Sequence, residues 1–113
     1  MPDTPPPSPA PSPSRRSPAE LRFGAAICKA LAHPSRLLII DQLASGEQCV
    51  ATLTSAVGSD MSTVSNHLAV LRHVGLVSDE RRGSQVFYRL TTSCITNIFC
   101  CIDQIQKNTK NQA

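Results

Sequence analysis

Five cysteines fall within 113 residues: Cys28, Cys49, Cys94, Cys100 and Cys101. The count is odd, so the chain cannot pair all of them with itself. In a reducing compartment they are expected as thiols or ligands rather than structural disulfides. Three of them, Cys94, Cys100 and Cys101, crowd one short C-terminal stretch. Thiolates are soft ligands. Three together suit trivalent arsenic or antimony, which takes three sulfurs in a pyramid, and the same softness admits cadmium, lead or zinc with a fourth ligand. Cys49 could add one more sulfur.

What must hold these sulfurs is a last helix. Thr92 or Ser93 can cap it, and it is expected to run from Cys94 to about Lys107. Ile95, Ile98, Phe99, Ile102 and Ile105 fall on a wide apolar face, a candidate seam between two copies of the chain. Cys94 would sit in the first turn, where the helix dipole favours a thiolate. Six residues separate Cys94 from Cys100, which is about 9 Å of rise in a straight α-helix. One ion cannot bridge that span. Either the helix start unwinds, or the site crosses a dimer. Two last helices packed antiparallel about a two-fold near Asn97 and Ile98 would set Cys94 of one copy against Cys100 and Cys101 of the other. The same thiols could instead form disulfides across a dimer, a redox switch.

A second stretch is built for a different task. Asp60 is placed to cap a helix over residues 61–74, and Gly75 ends it. Val64, Leu68, Leu71 and Val74 share its apolar face, whereas Ser62, Thr63, Ser65, Asn66 and His67 crowd its start with short donors and acceptors. Such a start suits a DNA major groove, where base edges differ in hydrogen-bond pattern. Val50–Val57 reads as a short helix before it, stopped by Gly58, so the pair forms a helix-turn-helix. After it, Leu76-Val77 opens a strand, residues 79–85 form a charged turn with Arg81, Arg82 and Gly83, and residues 86–90 return as a second strand. Arg72, Arg81 and Arg82 are the basic candidates for DNA contact.

The first two helices precede this unit. Ser17-Pro18-Ala19-Glu20 is a capping box for a helix reaching about Ala32, with Leu21, Ala25, Cys28 and Leu31 as its stripe. Leu21 and Ala25 join the dimer candidates, and Cys28 is expected as a small buried hydrophobe. Pro34 starts a second helix, apolar at Leu37, Leu38, Ile40 and Leu43. The expected fold is thus mainly α with a small β-hairpin, a winged helix-turn-helix of four helices, the hairpin and a fifth helix.

Size and charge bound the rest. Residues 1–17 are a Pro- and Ser-rich tail, residues 18–108 one DNA-binding and dimerisation domain, and residues 109–113 a polar tail. The net charge of +3 and pI of about 8.8 are compatible with nucleic acid. No apolar run approaches a membrane span and no secretory leader is visible, so a cytoplasmic protein with no membrane partner is expected. No acidic pair, phosphate loop or nucleophile–base set argues for an enzyme.

Several of these motifs, in this order and spacing, resemble the ArsR/SmtB family of winged-helix repressors. They are Lys29-Ala30-Leu31-Ala32-His33-Pro34-Ser35-Arg36, Gly46-Glu47-Gln48-Cys49-Val50, Ser62-Thr63-Val64-Ser65-Asn66-His67-Leu68, Leu71-Arg72-His73-Val74-Gly75-Leu76-Val77 and Tyr88-Arg89-Leu90. The resemblance implies a homodimer that binds double-stranded operator DNA and leaves it when a metal, metalloid or other signal binds. It places Ser62, Thr63, Ser65 and His67 toward DNA, Arg81, Arg82 and Gly83 in the wing, and the first and last helices at the dimer interface, with Ile95, Ile98, Phe99 and Ile102. Where arsenic and cadmium sensors of the family carry Cys-Val-Cys, this chain has Cys49-Val50-Ala51, so Cys49 is a remnant or an extra ligand. The zinc ligands of the last helix are replaced by Thr92, Cys94, Ile105 and Asn108, so zinc is not expected at that site. Asp41 stands where persulfide sensors have a cysteine. The implied inducer is As(III) or Sb(III), inorganic or as an organoarsenical, at Cys94, Cys100 and Cys101.

Overall fold

The computed structural model describes residues 15–111. Most of the proline-rich tail, residues 1–14, lies outside them, as do the last two residues. In chain order the elements are α1 (Pro18–Leu31), α2 (Pro34–Leu43), β1 (Gln48–Cys49), α3 (Val50–Val57), α4 (Met61–His73), β2 (Val77–Arg82), β3 (Gln85–Leu90), a 3-10 turn (Ser93–Thr96) and α5 (Asn97–Asn111). Helix starts follow local chemistry. The Glu20 N–H donates to Ser17 Oγ at 3.1 Å and the Ser17 N–H to Glu20 Oε1 at 3.2 Å, a complete capping box. His33 caps α2 through Nδ1, which accepts from the Ser35 N–H at 3.1 Å.

The core lies where α2, α3 and α4 meet the sheet. Ile39, Ile40, Leu53, Val64, Leu68 and Leu71 are fully buried, joined by Leu31, Leu43, Leu76, Val77 and Tyr88. Burying an aliphatic side chain of this size contributes about 1.5–3 kcal/mol. The end of α4 is locked into this core by a Schellman motif. The Leu76 N–H donates to the Leu71 carbonyl and the Gly75 N–H to that of Arg72, both at 3.0 Å. Gly75 takes the left-handed conformation this requires, φ +88°. Leu71 and Leu76 thereby meet inside the core.

The sheet holds three antiparallel strands in the order β1-β3-β2. β1 was not expected from the sequence, because two residues are too few to show an alternation. The wing also differs from expectation. Asp79–Arg82 belong to β2 rather than to a turn, and Arg82 faces Gln85 across a two-residue loop of Gly83 and Ser84. An edge strand tolerates such charges because its outer rim faces solvent. Gly83 supplies φ +63° at the first loop position, the demand of a type II′ turn. At the other end, α5 runs to Asn111, four residues past its expected stop. Among the described residues no single helix is long and apolar enough to cross a membrane.

Candidate nucleic-acid interface and thiol segment

α3, the Gly58 turn and α4 form the helix-turn-helix, and the wing stands beside it. Gly58 closes α3 in the left-handed region, φ +77°. Asp60 then caps α4, its Oδ1 accepting from the Thr63 N–H at 3.0 Å and its Oδ2 from Ser62 Oγ at 3.3 Å. Hydrogen bonding from Thr63 holds the Asp60 carboxyl below its ordinary range. Ser62, Ser65 and Asn66 are exposed and Thr63 is half-buried. Met61, which sequence reasoning passed over, is 56% exposed on the first turn. It lines, with Ser65, a cleft of about 270 Å³ toward Ser84, Gln85 and Val86 of the wing.

His67 is a correction. Its side chain is only 8% exposed, so it does not join the polar face. Its Nδ1 accepts from Arg36 Nε at 3.1 Å, and its ring lies 4.5 Å, centroid to centroid, from that of His33. Arg36 Nη1 also reaches the Ala30 carbonyl at 3.3 Å. The cluster thus ties α4 to the end of α1 and the start of α2. Burial, then the neighbouring His33 and Arg36, push the His67 pKa below the usual histidine value. As an acceptor at Nδ1, the neutral ring carries its proton on Nε2.

The basic candidates differ in how free they are. Arg72 Nη1 pairs with Asp79 Oδ2 at 2.8 Å. Arg82 is bound on two sides, by both Glu47 oxygens at 2.6 and 2.9 Å and by Glu80 Oε1 at 2.7 Å. Arg81, by contrast, forms no ion pair among the described residues, its Nε reaching only the Gly83 carbonyl at 3.4 Å. Gly83 is exposed at the wing tip.

The thiols are spread over four elements. Cys94 sits in the 3-10 turn, not in the first turn of α5, while Cys100 and Cys101 lie on α5. A 3-10 turn rises about 2.0 Å per residue, so it lengthens rather than closes the gap from Cys94 to Cys100. All three are exposed, and among the described residues no three His, Cys, Asp or Glu side chains are grouped to hold a metal. One chain alone does not assemble the three-sulfur set. Cys49 is half-buried in the cleft beside the wing, its thiol pKa lowered chiefly by Thr52, whose Oγ1 lies 3.2 Å from Sγ. Cys28, expected inside the core, is exposed on α1.

The apolar stripes divide similarly. Ile95, Ile98 and Phe99 are half-buried against the chain's own core. Ile102 and Ile105 on α5 stay 41% and 63% exposed, and Leu21 and Phe23 on α1 54% and 64%. Ala25 is exposed too.

Known proteins share this fold. Residues 33–79 match the sequence profile of the "Bacterial regulatory protein, arsR family". The biofilm growth-associated repressor of Xylella fastidiosa is 37% identical over 81 residues, 66% of this chain and 71% of the repressor. The chain belongs to the arsR family. The HTH-type transcriptional regulator NmtR of Mycobacterium tuberculosis is 46% identical over 66 residues, 58% of this chain. The chain spans 55% of the length of NmtR and 41% of that of a second HTH-type regulator from the same organism. Among solved structures, the homodimeric winged helix-turn-helix DNA-binding domain from Mycobacterium bovis superposes with a TM-score of 0.73 at 31% identity. That match covers 92% of this chain and 96% of the domain. The described residues therefore carry the winged-helix fold of this family, and its relatives are regulators rather than enzymes.

Proposed function

We propose that this arsR-family chain is a homodimeric, cytoplasmic repressor that holds double-stranded operator DNA through α4 and the wing and lets go when As(III), Sb(III) or an organoarsenical binds Cys94, Cys100 and Cys101. The observation that carries the reading is the C-terminal segment itself. Three exposed thiols share this segment with Ile102 and Ile105, apolar side chains that their own chain leaves exposed. A second copy would cover that strip, as the homodimeric Mycobacterium bovis relative suggests, and would bring Cys94 of one subunit to Cys100 and Cys101 of the other. Ser62, Thr63, Ser65 and Asn66 would meet bases or phosphates, with Arg72, Arg81 and Gly83 on the backbone. A ligand that bridges the seam more tightly in a DNA-incompetent dimer shifts the population off the operator. Half-sites must be met about one helical turn apart, so a small rotation costs contacts in both halves.

The test is titration of reduced, anaerobic protein with arsenite, phenylarsenite, zinc and cadmium on promoter DNA. Arsenicals are expected to release the DNA at stoichiometric ratios. A Cys94→Ser chain and a Cys100→Ser, Cys101→Ser chain should each fail alone, and their verified heterodimer should keep one responsive site. Heterodimers blind to arsenicals overturn the shared site. Four exposed thiols also favour a second reading, release by disulfide formation. It predicts that oxidant, not arsenite under reductant, releases the DNA.

A further inference from the structure

The sheet register places one cluster of charges on the outer side of the wing. Glu80 faces Phe87 and Arg82 faces Gln85 across β2 and β3, so Glu80, Arg82 and Phe87 share a face. Cys49 faces Phe87 across β1 and β3, which brings Glu47, two residues earlier, to the same side. Arg82 reaches over this face. Both its Nη atoms grip the Glu47 carboxylate, Nη2 also bonds Glu80, and the guanidinium carbon lies 4.8 Å from the Phe87 ring centroid. Two-point carboxylate pairing together with stacking fixes a guanidinium far better than a single exposed ion pair. Three hydrogen bonds hold the guanidinium through Nη1 and Nη2, and its charge is opposed by two carboxylates.

We infer that Arg82 is a positioning residue: with Glu47 it straps the wing hairpin to the loop between α2 and β1, and so presents Arg81 and Gly83 to the DNA backbone, rather than contacting DNA itself. Glu47, an acidic side chain on a DNA-binding protein, then has a task that its charge alone would oppose. Sequence spacing hides the pairing, because 35 residues separate the partners. The inference rests on the DNA-binding reading for one of its two readouts only.

Removing a carboxylate near DNA ordinarily tightens binding, since it lifts repulsion of phosphate. The strap predicts the opposite sign. Glu47→Gln should weaken binding to a duplex carrying the protein's own promoter by roughly three- to tenfold, in the lower part of what coupling inside one ion-pair network yields. Arg82→Gln should weaken it similarly, and the double variant should be no weaker than the worse single one. In the free protein, hydrogen exchange at the amides of residues 81–86 should speed up in Glu47→Gln and Arg82→Gln, with amides in the centre of α4 unchanged. Tighter or unchanged DNA binding by Glu47→Gln, or unchanged wing exchange, overturns the strap. Wild-type protein that binds no duplex overturns the DNA-binding reading instead, and the exchange measurement still decides the strap.

Discussion

Replacing His67 with phenylalanine tests the junction of α1, α2 and α4 directly. The substitution keeps a ring at a site that is 8% exposed but removes the Nδ1 acceptor, so Arg36 Nε loses its partner at 3.1 Å. A hydrogen bond to a charged group contributes about 1.5–3 kcal/mol. In a domain of this size that loss lowers Tm by about 6–24 °C. The effect should depend on pH with a defined sign. The folded pKa of His67 lies below the ordinary value, so at a pH above the ordinary value the ring is neutral whether folded or not. As the pH falls below the ordinary histidine value of about 6.5, the unfolded chain takes up a proton that the folded one refuses. Wild type therefore loses this part of its stability from about pH 6.5 downward, until the folded pKa is passed. The phenylalanine variant has no such loss, so the gap between the two should narrow between about pH 7.5 and pH 5. Urea denaturation followed by circular dichroism, at one fixed protein concentration, measures the gap. A gap that stays constant over that range, or a Tm change below about 2 °C at neutral pH, refutes the reasoning.

Two further outcomes are expected. Leu68→Ala, at a fully buried position on the inner face of α4, should cost about 2–5 kcal/mol of stability and be visible in the same denaturation assay. Ile102→Glu together with Ile105→Glu, at side chains that are already exposed in the single chain, should leave secondary structure intact while shifting sedimentation toward the monomer and weakening DNA binding; an unchanged dimer would place the seam elsewhere.

How much of this was legible in the sequence depends on the length over which each signal repeats. α4 was readable because Asp60, the spacing of Val64, Leu68 and Leu71, and Gly75 agree on one helix. His67 was misjudged by residue type. It stands three residues after Val64 and four before Leu71, so the helical spacing itself put it on the apolar stripe, and Arg36 makes that burial tolerable for an imidazole. The wing was found, but its strands were drawn too short. The run Asp79–Arg82 looks like a loop by composition and is a strand because β3 pairs with it. The four-residue 3-10 turn holding Cys94 and the two-residue β1 are too short to leave any period. Pairings such as Glu47 with Arg82 and Arg36 with His67 join residues more than thirty positions apart, and only the fold brings them together.

β1 has one more consequence. Its two residues lead directly into α3 and are paired with β3, so the hairpin and the helix-turn-helix share a backbone-bonded scaffold. The hairpin and the start of α3 are thereby tied into one block by strand pairing. Thr91 belongs to this block, its N–H donating to the Leu76 carbonyl and its Oγ1 to that of Gly75, so the link to the C-terminal helix is Thr92 and the turn after it. On the proposed reading, a ligand at the far end acts on the block through that short link and through Ile95, Ile98 and Phe99, which pack against the core.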